Sequence, residues 1–439
     1  MQKAKIFLLF IFLIKGPVIL MSQNVDSLLV SLNYLFELAD QNNRELKILE
    51  YNRKKALEAV NEEKKKLLPS LDASLSFSYN GDGTVMDRNF SHQVNAPIPD
   101  FGNNFIVEAS QVIYAGGAIK NAIETAKLNQ AYTDLDKEQH RQNIRFTIAG
   151  YYLELLKLNN QIIILEKNII QTNTLLEQMK ARYEQGTMLA NNVTRYELQL
   201  QSLDLTLFQV KNRIAITNNE LVKMLQLPTG TKLKPENRII EEVLTIYNKS
   251  DWQNTALNNS PVIKQQALKI EQSQRAEKLV LANKLPQIVA FAGNNLNGPI
   301  TIEIPAINKN FNYWYVGIGI KYNISSLYKN KPKKNQARLA TQLAMESDKK
   351  IRDELSNDIE DCFITYHEAI KVYETQLKSV ELASENYTII RNRYLNDLVL
   401  ITEMLDAENS KLDAELKATN AQINILFQYY LLKKLTATL

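Results

Sequence analysis

No proline occurs between Pro99 and Pro228, and beyond Pro332 the chain runs to Leu439 with neither glycine nor proline. These two residues punctuate helices more reliably than any others, so two stretches of more than a hundred residues each read as long helices. Heptads support the reading. Ile148, Leu155, Ile162, Ile169, Leu176 and Tyr183 stand seven apart, and Leu158, Leu165, Thr172 and Met179 follow four of them by three, which is the spacing of a coiled-coil seam. A second seam follows in Val193, Leu200, Leu207, Ile214 and Leu221, alternating with Tyr196, Leu203, Val210 and Met224. The helix expected over residues 118–184 would reach roughly 100 Å at about 1.5 Å per residue. That is a rod, of little use to an isolated enzyme domain.

The pattern occurs twice. Leu68-Pro69-Ser70-Leu71 returns as Leu285-Pro286-Gln287-Ile288, and Asn80-Gly81 as Asn297-Gly298, both 217 residues later. Further along the displacement is 211: Ala126-Lys127-Leu128 meets Ala337-Arg338-Leu339, and Arg182-Tyr183 meets Arg393-Tyr394. At that offset the first seam becomes Ile359, Tyr366, Tyr373, Val380, Tyr387 and Tyr394, while the second carries Ala407, Ala414 and Ala421. Repetition at a fixed offset decides architecture before any local reading does. The chain is expected to hold a first structural repeat at residues 23–227, a linker or equatorial region at 228–249, and a second repeat at 250–439. Each repeat has a break between its seams, Gln185-Gly186-Thr187 and Asn396-Asp397-Leu398, where the helices should reverse at tips near 186 and 397.

The zones rich in glycine and proline read as strands. From Leu71 to Asn80 the odd positions are Leu, Ala, Leu, Phe and Tyr, while the even ones are Asp, three serines and Asn. Trp314, Val316, Ile318, Ile320, Tyr322 and Ile324 alternate in the same way, so one face is apolar and the other polar. With less regular partners they give hairpins at 71–80/104–114 and 287–297/313–324. Strands of about ten residues with an apolar outer face have the dimensions of a transmembrane β-barrel. Four strands cannot close, and an open edge cannot stand in hydrocarbon. Three chains would supply twelve strands, enough for an aqueous lumen.

Export is expected too. Lys3 and Lys5 precede the apolar run from Ile6 to Ile14, and small residues follow near Ser22, so residues 1–22 read as a signal peptide. The charge balance of 52 Lys+Arg against 48 Asp+Glu offers no basic stripe for nucleic acid. One cysteine, Cys362, and three dispersed histidines, His92, His140 and His367, provide no disulfide framework or metal cluster. No Walker-type loop is present, and no nucleophile, base and orienting group cluster. No catalytic residue, metal or cofactor is therefore expected.

The order helix, Leu-Pro-Ser-Leu strand, return strand ending in Val112-Ile113-Tyr114-Ala115-Gly116-Gly117, long helix, Arg-Tyr-x-x-Gly reversal and second helix, all repeated, resembles the TolC-type outer-membrane efflux channel (outer membrane factor) family. The resemblance covers nearly the whole mature chain. It implies a mainly α fold with β: long antiparallel coiled-coil helices forming a periplasmic α-barrel, and four membrane strands per chain. A homotrimer would close a 12-stranded barrel in the outer membrane of a Gram-negative bacterium and extend into the periplasm. Its implied function is a passive exit duct of a tripartite efflux or type I secretion system, gated at the periplasmic tip. The implied partners are a periplasmic adaptor (membrane fusion) protein, an inner-membrane transporter of the RND or ABC class, and outer-membrane lipid.

Particular residues take implied roles. Glu403 and Asp406, three apart on one helix face, resemble the acidic ring at the closed end of the family tunnel, and Tyr394 resembles a tyrosine that holds that end shut. Tyr183, Asn192 and Arg195 are the first-repeat partners. The family pattern has an arginine where this chain has Val399 and an acid where it has Asn192, so the closing contacts should differ, with Arg195 and Asp406 expected to pair between neighbouring helix pairs. Gly186, Thr187, Asp397 and Leu398 would meet the adaptor. Metal-ion and polypeptide export ducts share this architecture, and a poreless coiled-coil scaffold of the envelope is the competing class. The nearly charge-free alternating strands argue against the scaffold.

Overall fold

The computed structural model describes residues 28–236 and 248–439, so the expected signal segment at 1–22 and part of the 228–249 linker lie outside the described residues. The first half comprises β1 (Leu28–Val30), α1 (Leu32–Asn42), α2 (Arg44–Lys65), β2 (Ser70–Tyr79), β3 (Gly83–Val85), β4 (Val94–Ala96), β5 (Phe101–Tyr114), α3 (Ala118–Glu184), α4 (Ala190–Met224) and β6 (Leu233–Pro235). The second comprises α5 (Lys249–Asn259), α6 (Pro261–Ala282), β7 (Gln287–Gly298), β8 (Phe311–Lys321), α7 (Ser326–Lys329), α8 (Lys331–Leu395) and α9 (Ile401–Leu435). Counterparts keep the sequence offsets: α5 and α6 begin 217 residues after α1 and α2, and α9 begins 211 after α4.

The long helices α3 and α8 have 67 and 65 residues. Their length follows from the missing breakers, and their pairing from the seams. Ile148, Leu155, Leu158, Leu165, Leu176 and Met179 are buried along α3. On α9 the buried Ala407, Ala414 and Ala421 let it lie close against α8. Cys362 is buried within α8, and burial pushes its thiol up to about 12. At the helix joints one side chain serves two ends: Asn43 Oδ1 accepts from the Glu45 and Leu46 amides at 2.9 and 3.3 Å, capping α2, while its Nδ2 donates to the Met224 carbonyl at 3.1 Å.

Among the described residues two apolar cores result. The larger lies at the equator, where the short parallel pair β1–β6 packs with α1 and the middles of α3 and α8. There the fully buried Tyr152 hydroxyl meets the Val30 carbonyl at 3.2 Å and accepts from the Glu236 amide at 3.0 Å. The smaller core lies at the reversals, around Tyr196, Tyr394 and Met404.

The four long strands form one antiparallel sheet in the order β2-β5-β7-β8, so the two halves meet through β5 and β7 rather than as separate hairpins. Leu71, Leu75, Phe77 and Tyr79 share an exposed face with Trp314, Val316, Ile318 and Ile320. The other face carries Ser70 opposite Ser110 and Asp72 opposite Glu108. The expected bounds shift by up to three residues, most at two places. β5 starts at Phe101, because it pairs with Tyr79 at the far end of β2. β8 ends at Lys321, opposite Gln287 where β7 begins. Tyr322 and Ile324, expected on the strand, fall beyond that last partner, and the chain turns there as the Ser326 amide donates to the Asn323 carbonyl at 3.0 Å. The loop expected between Gly81 and Asn104 contains its own small hairpin, β3–β4.

Candidate functional site

Both tips end their long helix with the same backbone device. The Gly186 amide donates to the Tyr183 carbonyl at 2.9 Å and the Thr187 amide to the Arg182 carbonyl at 2.9 Å. In the second repeat the Asp397 amide donates to Tyr394 at 3.0 Å and the Leu398 amide to Arg393 at 2.9 Å. This Schellman arrangement needs a left-handed residue just past the helix. Gly186 supplies φ +74° at no steric cost, whereas Asp397 adopts φ +57° with a side chain attached. The acid is put to use: Arg182 Nη2 reaches both Asp397 oxygens, at 2.6 and 2.7 Å, and ties one tip to the other.

Behind the turns sits an apolar plug. Tyr394 is buried with Leu175, Leu176, Met179, Tyr196, Ile401 and Met404. Its hydroxyl points at Met188 Sδ, 3.9 Å away, and burial pushes its phenol up to about 12. Asn192 is half-buried and its amide also turns to Met188 Sδ, at 3.3 Å. Tyr183 is half exposed and lies outside this plug.

The charged residues singled out in the sequence are solvent-facing. Glu403, Asp406 and Arg195 are all exposed. Glu403 is the third residue of α9, and its Oε1 accepts from the Leu400 amide at 3.4 Å, so it caps its own helix. Among the described residues, Arg195 and Asp406 form no ion pair within the chain. Thr187 closes on its own turn, its hydroxyl donating to the Arg182 carbonyl at 3.0 Å, while Leu398 stands exposed at the tip.

A polar cluster that sequence reasoning missed lies deeper. Glu408 is 4% exposed, and its oxygens accept from the Thr172 hydroxyl and, at 3.1 Å, from the Tyr196 hydroxyl. Lys411, also buried, lies over the Tyr387 ring at 4.6 Å and 3.8 Å from Glu415, which accepts from the buried Asn168 at 3.3 Å. Burial raises the Glu408 carboxyl above its ordinary value, against the two hydroxyl donors and Lys411. Tyr196 is pushed upward by burial and then by the negative Glu408. The cluster joins α3, α4, α8 and α9. Its first-repeat counterpart is unlike it: Glu197 is half exposed and pairs with Lys180 at 3.4 Å. One signal was visible, because Thr172 is a polar residue at a seam position, where such residues fix register at some cost in stability.

This build, a duplicated chain with paired helical rods, a four-stranded sheet apolar on one face and a plugged tip, is similar to that of solved outer-membrane channels. Residues 35–226 match the family Outer membrane efflux protein. The whole fold also matches solved structures of such channels. The outer-membrane channel OprN superposes with a TM-score of 0.78 at 15% identity, over 93% of this chain and 90% of that one. VceC from Vibrio cholerae gives 0.74 at 17% identity, over 92% and 96%. CmeC from Campylobacter jejuni gives 0.75 at 15%, over 93% and 85%. No curated protein matches the chain by sequence. Over residues 35–226 the chain is similar to the outer membrane efflux protein family, and its fold is that of the outer-membrane channels above.

Proposed function

We propose that three copies close their sheets into a 12-stranded barrel and their helices into a tunnel, forming a passive exit duct. The observation that carries this is the sheet itself. β2 and β8 are both unpaired edges in the order β2-β5-β7-β8, while the exposed apolar face calls for hydrocarbon. An unpaired edge in lipid costs several kcal/mol per polar group, and pairing β8 of one copy with β2 of the next removes every edge. A channel does no chemistry; it lowers the barrier for polar solutes by substituting water for hydrocarbon.

The periplasmic tip is the closure, with Tyr394 and its apolar plug holding it and Arg182–Asp397 fastening the two turns. Glu403 and Asp406, exposed beside the plug, become rings of three in a trimer, and Arg195 of one helix pair can reach Asp406 of its neighbour across the trimer interface. The exposed Leu398, with Gly186, Thr187 and Asp397, offers the surface for a periplasmic adaptor, which would link the duct to an inner-membrane RND or ABC transporter. Conductance in a planar bilayer together with a trimer mass is the expected result. A folded, monomeric, non-conducting protein would leave the envelope scaffold as the better reading.

A further inference from the structure

Where the sheet meets the helices, a cavity of about 920 Å³ opens on the polar face, lined by Ser70, Ser110 and Gln287 at the base of the strands. Four lysines also line it: Lys65 and Lys66 from the end of α2, Lys321 from the last residue of β8, and Lys333 from the first turn of α8. Glu62 is the one carboxylate among its lining residues. Lys66 is engaged by Glu63 at 2.6 Å, whereas Lys65, Lys321 and Lys333 form no ion pair among the described residues.

The repeat shows that the fold does not require these charges. At the offsets of 217 and 211, the counterparts of Lys65, Lys66, Lys321 and Lys333 are Ala282, Asn283, Ser110 and Ala122, all neutral. Helix energetics do not require them all either. Lysines in the last turn of α2 complement the negative end of the helix, but Lys331, Lys333 and Lys334 crowd the positive end of α8, where cations are unfavourable. The first turn of α8 has no acid to relieve them, and no Asp or Glu occurs from Pro305 to Met345. Three cations without ion-pair partners around one open recess favour an anion, as phosphate and carboxylate groups are what lysine ammoniums bind best.

We propose that this recess is an anion-binding site at the neck of the duct, taking the phosphate, sulfate or carboxylate groups of solutes that pass from tunnel to barrel. Its place on the passage rests on the trimeric-duct reading, in which the polar face of the sheet lines the lumen; the recess itself is complete within one chain. It adds a basic collar beyond the acidic tip, so that charge selection has two opposite stages.

Calorimetric titration of the purified full chain in uncharged detergent with inorganic triphosphate tests it. Lys65→Gln/Lys321→Gln/Lys333→Gln should bind at least tenfold more weakly, since the loss of even one charge-assisted contact is roughly a factor of ten, and the corresponding triple Lys→Arg variant should bind like wild type. No binding by wild type, or equal binding by the Gln variant, overturns the site. The same titration in phosphatidylcholine and in phosphatidylglycerol nanodiscs separates the anion's source. Equal affinity in both supports a solute site, and loss of triphosphate binding only with phosphatidylglycerol assigns the lysines to lipid headgroups and overturns it. Absence of conductance would instead overturn the duct while leaving the triphosphate result intact.

Discussion

Tyr196→Phe removes one hydroxyl from a fully buried side chain and changes little else. That hydroxyl donates to Glu408 Oε2 at 3.1 Å, and Thr172 holds the other oxygen. A hydrogen bond to a charged group contributes roughly 1.5–3 kcal/mol, and an oxygen left without its donor in a buried place bears the upper part of that range. The expected loss is therefore about 2–3 kcal/mol of local stability, or roughly a 30- to 150-fold loss of amide protection. Hydrogen exchange followed by mass spectrometry on peptides spanning residues 190–203 and 401–415 reads this directly. In Tyr196→Phe/Glu408→Gln the costs should fall short of additive by about 1 kcal/mol or more, because Phe no longer leaves a carboxylate oxygen unmet. A loss of protection below about threefold in the single variant, or simple additivity in the double, would refute the cluster as the anchor of the tip.

Acidity gives a second handle on the same group. The Glu408 carboxyl is raised by burial, so the folded chain keeps a proton that the unfolded chain has already released, and this group's contribution falls as pH rises through that interval. Lowering pH from neutral toward about 5 should raise protection of residues 401–415 in wild type relative to Glu408→Gln, a comparison that subtracts the surrounding Lys411, Glu415, Tyr387 and Tyr196. Gly186→Ala should cost about 1 kcal/mol through its backbone alone, since a Cβ there meets nothing within 4 Å, and thermal melts of the purified protein check it. Gly116→Ala should be far worse and abolish assembly on a native gel, because at φ +61° its Cβ would lie 2.8 Å from the Ala282 carbonyl oxygen and 2.9 Å from Leu285 Cβ. Asp406→Ala should raise single-channel conductance, and unchanged conductance would remove Asp406 from the closure.

Much of this architecture is legible because it is repetitive. Missing breakers, a seven-residue seam and two fixed offsets each report the same rods, and a two-residue alternation reports strands regardless of their partners. What pairs with what is another matter. Nothing local in Glu108 says that it will stand beside Gly293, so a single sheet replaces two hairpins. At the tip, sequence reasoning chose Glu403 and Asp406 by their position near a reversal and passed over Glu408, two residues further. Burial decides between them, and burial depends on how four helices rotate against one another. Asp397 falls in the break that the sequence marks, but its grip on Arg182 joins residues 215 apart in sequence.

The junction of β5 with β7 constrains how such a chain can be made. Glu108 finds Gly293 only after 185 further residues have been synthesised. Until then the first half holds only the hairpin β2–β5 from the main sheet, and an isolated two-stranded hairpin is marginal in water. Loop closure over that distance is slow, whereas helices α3 and α4 form from contacts that are local by comparison. The rods are therefore ready before the sheet, and Leu71, Phe77 and Tyr79 wait for strands that have yet to be made. Until β7 and β8 arrive, β5 presents an unpaired edge beside that apolar face, so the sheet is the part of the molecule most open to wrong pairing while the chain is incomplete.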